Sequence, residues 1–295
     1  MTTNMATELP ARKSKNTALR RLMKDKLALV GLVILILIFF CAIFAPFLAP
    51  HAPLEQTLSW RLREPTLASG GPYLGSDSLG RDILSRLMYG SRVTLLVGFA
   101  AVAISGTIGI TLGVLAGYYG GRLDGVITWM VNTLLAFPFI LLALVFAALF
   151  GRGLGNIILV LGITGWVQYA RVARNSVLAV KSLEYVQSAH SIGATHMRIM
   201  FRHILPNILP PLIVIASYEL ARMIIMEAAL SFLGLGVSPD TPSWGTMLAD
   251  GREYLTAAWW IVLFPGLAIT ITVACVNTVG DWIRDEMDPQ LRNEK

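Results

Sequence analysis

The residues best placed to do more than fill space lie in an otherwise apolar run, 208–235, which carries Glu219, Arg222 and Glu227. Read as a membrane span, such a run makes charge expensive. A charged side chain near the centre of a membrane helix costs about 2.5–3.5 kcal/mol on insertion scales, so all three must face protein or water. Glu219 and Arg222 are three residues apart and share a helical face, which allows an ion pair that lowers the cost of both. A structural pair is the simplest reading of them. Glu227 stands about 80° further round the helix and nearer its far end.

Bond-breaking chemistry has no recognisable basis in the sequence. A GxxxxGK[ST] phosphate loop, HExxH and GxSxG are all absent. Of the histidines, His51, His190, His196 and His203, the last three are spaced six and seven apart rather than as i, i+4 ligand pairs. Cys41 and Cys275 fall inside apolar runs, where a thiol behaves as a small hydrophobe. The expectation is a protein that is not an enzyme, with no metal, disulfide or cofactor of its own.

The elements that position the charges follow from composition. The 295 residues are 55% hydrophobic and 14% charged, against about 25% charged in a soluble domain. That excludes an ordinary cytosolic enzyme, and the spread of glycine and proline among apolar runs excludes a disordered chain. Apolar stretches long enough to cross a hydrocarbon core of about 30 Å occur at 27–48, 93–116, 126–150, 154–170, 208–235 and 257–279. The fold class expected is an all-α membrane protein with six transmembrane helices. The first run is too long for the 7–15-residue core of a cleaved signal. With the N-terminus inside, 16 of the 24 basic residues fall on the inner side, so the positive-inside rule makes both termini cytoplasmic. The net charge of +6 is then explained by insertion, and no nucleic-acid partner is expected. Membrane lipid is the expected surrounding.

Four segments follow: a cytoplasmic tail 1–26, a first helix with an outer segment 27–92, a transmembrane core 93–280 and a cytoplasmic tail 281–295. Within the outer segment, apolar positions at 79, 83, 84, 87 and 88 recur at helical spacing, which suggests a helix lying on the membrane surface or packed on outer loops. Gly109, Gly113 and Gly117 form a GxxxGxxxG run that lets another helix approach closely. Pro138 and Pro265 sit inside spans, where kinks are tolerated. Tyr254, Trp259 and Trp260 fall at the outer interface, where aromatic residues anchor depth.

The segment 171–207 is far longer than a helix connection requires, which points to a dedicated role. It reads as two short helices, 183–191 and 194–203. Gly193 turns the chain between them, and Pro206 closes the second helix at the entry to span five. Such a helix pair suits docking into a groove on a soluble partner.

Here the sequence resembles binding-protein-dependent ABC importer permeases, whose EAA loop runs EAA, three residues, Gly, nine residues and IxLP. Ala189, Gly193, Leu205 and Pro206 match that register, whereas Gln187, Ser188 and His203 stand where the family prefers Glu, Ala and Ile. The departure at Gln187 removes a carboxylate that could pair with an ATPase. Further segments, including 74–86, 116–121, 201–207, 227–236, 242–245 and 247–251, are similar to the C-type permease of dipeptide, oligopeptide and nickel importers, and the likeness runs from about residue 20 to residue 292.

The resemblance implies a type I importer permease fold with a cytoplasmic coupling-helix loop, in a bacterial inner membrane. It further implies a homologous B-type permease partner, two cytoplasmic ATPases carrying ATP and Mg, and a periplasmic or lipid-anchored solute-binding protein. Gln187, Ser188, Ala189, Gly193, His203, Leu205 and Pro206 would couple to the ATPases, while Glu219, Arg222 and Glu227 would line the path, Glu227 nearer the outer gate. Solutes could be peptides, nickel chelates or other small molecules. A rival reading is an ion-coupled secondary carrier using the same charges, although such carriers tend to show internal repeats, and none is evident here. A membrane-embedded hydrolase is a third, weakened by the lack of a paired nucleophile and base.

Overall fold

The structure, a computed structural model, describes residues 21–68 and 70–287, and the outer ends of both expected tails lie outside the described residues. Its regular elements are helices: α1 (Lys26–Leu48), α2 (Ile83–Tyr119), α3 (Gly121–Ala136), α4 (Phe139–Phe150), α5 (Leu154–Lys181), α6 (Glu184–Ser191), α7 (His196–Ile199), α8 (Leu205–Phe232), α9 (Trp244–Gly251) and α10 (Trp260–Met287). Five helical stretches are long and apolar enough to cross a membrane, and α3 with α4 makes a sixth span if that bent pair is counted as one.

Local chemistry sets the helix ends. Asp25 caps α1 by accepting from the Ala28 amide at 3.1 Å, and Asp82 caps α2 by accepting from the Ser85 amide at 2.8 Å, each satisfying an orphan donor of a first turn. Ser243 and Thr246 form a reciprocal capping box on α9. The expected third span is not straight. It breaks by 89° between α3 and α4, because Phe137, preceding Pro138, is held extended and proline has no N–H to continue the helix.

Two other expectations are corrected. The amphipathic stretch in the outer segment does not lie on the membrane: Ile83 begins α2, and Ile83, Ser85 and Arg86 are buried. The expected boundary at 92/93 therefore falls inside a continuous helix. Trp260 is not an interfacial anchor but a core residue, 2% exposed, whose indole N–H donates to the Ser76 carbonyl at 3.1 Å. Tyr254 packs beside it, and Trp259 is the exposed member of the three.

The tightest packing joins α2 to α5. A Cβ on Gly109 would sit 2.3 Å from the Trp166 carbonyl oxygen, one on Gly113 2.5 Å from that of Ala170, and one on Gly117 2.8 Å from that of Arg174. The GxxxGxxxG run thus does what its spacing suggested. Helices α8 and α10 pack beside this pair, with α1 against α10 and α2. Arg21 bonds Glu286 at 3.1 Å, so the two described ends of the chain lie on the same face.

Gly109→Ala should destabilise the fold by about 1–3 kcal/mol, the usual cost of overpacking. Gly106→Ala should be tolerated, since its Cβ would meet Tyr169 at an ordinary 3.6 Å. Thermal unfolding of the two variants in detergent checks the difference.

Candidate coupling surface and translocation path

The first candidate surface is the hairpin of α6 and α7. Val186 packs into a cluster with Ile199, Met200, Ile204 and Val177, and Ala189, three residues on, is buried as well, while Gln187 and Ser188 are exposed. This division follows from helical periodicity: residues three apart share the seated face. Gly193 adopts φ +82°, a conformation rare for L side chains, and lets the Gly193 and Ala194 amides bond back to the His190 and Ala189 carbonyls at 3.0 and 3.1 Å. Thr195 then caps α7.

The second loop helix departs from expectation. It starts at His196, passes through a π-helical stretch at Met200–Ile204 and continues into α8 without a break, so that Pro206 lies in the first turn of α8 and closes nothing. Its ring falls where the π-helical turn passes into α8, and the chain keeps its helical course across it. Contacts from α2 and α5 brace the hairpin: the Tyr118 hydroxyl bonds His196 Nδ1 at 2.8 Å, and Lys181 donates to the Tyr118 carbonyl.

Of the seven residues expected here, Ala189, Gly193 and His203 line one cleft of about 340 Å³, together with Arg198 and Arg202. Gln187 borders another cleft beside Tyr118 and Lys181, and its amide folds back to donate to the Ser182 carbonyl at 3.1 Å. Ser188 is exposed outside both, Leu205 packs on the hairpin's core and Pro206 is exposed on α8. The two arginines escaped notice in the sequence because basic residues in a cytoplasmic loop are already explained by orientation.

The second candidate is the charged stretch of α8. Arg222 Nη1 lies 3.1 and 3.0 Å from the two oxygens of Glu219, the pair that their spacing allowed. The partners differ in environment: the Glu219 side chain is 5% exposed and that of Arg222 40%. Arg222 borders a cavity of about 100 Å³ with Thr164, Gln168, Val167, Phe137 and Phe139 among its walls. Thr164 and Gln168 sit one turn apart on α5, a polar stripe the sequence did display.

Glu227 is placed differently from expectation. Its carboxylate is fully buried within this chain, accepting from the Thr94 hydroxyl at 2.9 Å and the Ser231 hydroxyl at 2.8 Å. It therefore reaches neither the surface of this chain nor the Arg222 cavity. The hydroxyls, one from α2 and one from the next turn of α8, explain how a carboxylate is tolerated there.

A further cluster joins the outer segment to α9. Asp77 accepts from Arg81 Nε at 2.6 Å and from Arg86, and Asp250 accepts from the Nη2 atoms of both arginines at 3.0 Å. The sequence displayed these residues in separate segments, 169 positions apart for Arg81 and Asp250, and gave no sign that they meet.

Comparison with known proteins covers nearly the whole chain. Residues 109–293 match the family described as binding-protein-dependent transport system inner membrane component, and residues 16–65 match the N-terminal TM domain of oligopeptide transport permease C. The chain is 44% identical over 272 residues to the Di/tripeptide transport system permease protein DppC of Pseudomonas aeruginosa, covering 91% of this chain and 90% of that protein. It is 46% identical to the Dipeptide transport system permease protein DppC of Escherichia coli K12, covering 91% of each. Among solved structures, an inward-facing MetNI methionine ABC transporter chain aligns with a TM-score of 0.59 at 22% identity, over 70% of this chain and 98% of that one. That likeness shows the fold, the one expected for type I importer permeases.

In a background lacking Cys41 and Cys275, Arg222→Cys should react readily with a water-soluble maleimide. Glu219→Cys and Glu227→Cys should react at least about tenfold more slowly, following their burial. Labelling rates in membrane vesicles, at unchanged yield of the inserted protein, check the order.

Proposed function

Because the chain belongs to the family of binding-protein-dependent transport system inner membrane components, and is thus a multi-pass permease subunit of an ATP-driven importer, we propose that it forms the C-type half of a heterodimeric permease for short peptides. A homologous B-type permease would complete the path. Two ATPases would supply ATP and Mg chemistry, and a periplasmic or lipid-anchored binding protein would deliver the solute. The peptide reading draws on the relatives, which are named as dipeptide and di/tripeptide permeases.

The observation that carries the coupling half of this reading is mechanical. From His196 to Phe232 the chain is one helical stretch of 37 residues, so the hairpin and Arg222 lie on a single lever about 40 Å long at 1.5 Å per residue. Displacing the hairpin displaces the helix that carries Arg222. ATP-driven closure of the ATPase pair would move the hairpin, and the lever would carry that motion to the path, turning it from inward-facing to outward-facing. The chain itself contributes position and motion, with hydrolysis residing on its partners.

Orientation follows from charge. The same-face ends joined by Arg21 and Glu286 fit an even number of spans, and the basic tail and loop support a cytoplasmic position for that face. A reporter fused after residue 60 should read as periplasmic, and reporters near residue 185 or after residue 290 as cytoplasmic. A cytoplasmic signal at residue 60 overturns the six-span arrangement.

Coupling is tested at Gly193. A β-branched residue at positive φ costs about 1–2 kcal/mol, so Gly193→Val should misplace α7 and lower both ATPase co-purification and peptide uptake. Asparagine tolerates the left-handed region better, and Gly193→Asn should retain most of both. Full uptake and complex yield in Gly193→Val would remove the docking role.

A further inference from the structure

We infer that Arg222, with Gln168 and Thr164, forms a subsite for the carboxylate end of the transported solute, in the cavity where α3 breaks into α4. The inference rests on the peptide-permease reading and adds to it the chemical group recognised inside this subunit.

Four elements converge on the cavity: Leu134, Leu135 and Phe137 at the end of α3, Phe139 and Leu142 on α4, Thr164, Val167 and Gln168 on α5, and Arg222 on α8. Arg222 is the one charged residue among these walls. Its pairing with Glu219 is lopsided, since both carboxylate oxygens approach Nη1. Among the described residues, Nε and Nη2 have no hydrogen-bond partner, and they form the side-on fork that matches a carboxylate bidentately. Glu219 thereby acts as a positioning residue, fixing the guanidinium from its buried side while the fork stays open.

The other polar walls complement this fork. The Gln168 amide bonds to nothing else among the described residues and offers both a donor and an acceptor. The Thr164 hydroxyl donates to the Val160 carbonyl at 2.7 Å, so it presents lone pairs, suited to an N–H next to a carboxylate. Phe137 and Phe139 supply apolar walls on either side of the chain break, lowering the local dielectric and strengthening a charge pair formed there. At about 100 Å³ the cavity has room for a carboxylate with its neighbouring carbon and amide, given about 10–15 Å³ for one water on the same measure. The fork engages a single carboxylate, so the subsite reads one end of the solute.

The test uses the complete importer in proteoliposomes, with both permeases, ATPases and binding protein, and dialanine as the probe. Arg222→Gln and the double variant Glu219→Gln/Arg222→Gln should each lower dialanine uptake by about tenfold or more. Binding-protein-stimulated ATP hydrolysis should stay within about twofold of wild type. Arg222→Lys, which keeps the charge but not the fork, should fall between. The double variant is decisive because it leaves no unpaired buried charge: a merely structural pair predicts recovered uptake, and that recovery would overturn the subsite while leaving the permease reading intact. Gln168→Ala, which spares the ion pair, should raise the dialanine KM about threefold at unchanged complex yield; an unchanged KM counts against the subsite. If the wild-type importer moves no dialanine at all, the peptide reading falls and takes this subsite with it.

Discussion

The close approach of α2 and α5 is the constraint on which the rest of the structure depends. At Gly109, Gly113 and Gly117 the backbones come so near that no side chain fits between them. Within lipid, where apolar side chains gain little by leaving one apolar surface for another, such backbone contact is what holds two helices together. With that pair fixed, Gly98 on α2 meets Leu220 and Ile224, and Gly165 on α5 meets Met223. The charged stretch of α8 is thus seated by glycines on two neighbouring helices.

That seating sorts three intramembrane charges into different fates. Glu227 is turned toward Thr94 and is fully enclosed, Glu219 is turned inward and pairs along its own helix, and Arg222 is left at a cavity rim. For both carboxylates the requirement met is the same, that no oxygen be buried without a hydrogen-bond partner. Beside α9, Asp77, Arg81, Arg86 and Asp250 balance one another as two acids and two bases. Breaking one member of such a buried set leaves its partners uncompensated, so the set pins α9 to the start of α2.

The two ends of the molecule differ in how they are held. The end with α9 is bound by buried ion pairs and by Trp260, whereas the α6–α7 hairpin exposes most of its residues and rests on a few apolar contacts and the Tyr118–His196 bond. A segment with few buried contacts opens and moves at lower cost than a packed core. Motion is therefore cheaper at the hairpin, the end to which a soluble ATPase would bind.

Much of this was legible in the sequence by itself, because the signals concerned are local. Apolar runs of membrane-crossing length, the i, i+3 spacing of Glu219 and Arg222, the glycine repeat of α2 and the single turn glycine at 193 each report through neighbouring residues, and the family likeness rests on ordered motifs. What only the tertiary structure decided is which faces meet. Nothing near Glu227 says that Thr94, 133 positions away, will supply its hydroxyl, and nothing near Arg81 announces Asp250. The seamless run from α7 into α8 reversed the expectation that Pro206 closes a helix, and the size of the bend at Pro138 was open, for the same reason. A proline states locally that a donor is missing, but whether the helix bends or continues depends on its position in the turn and on what packs against it. Pro138 interrupts a span with Phe137 held extended, while Pro206 follows a π-helical turn and the helix runs on through it.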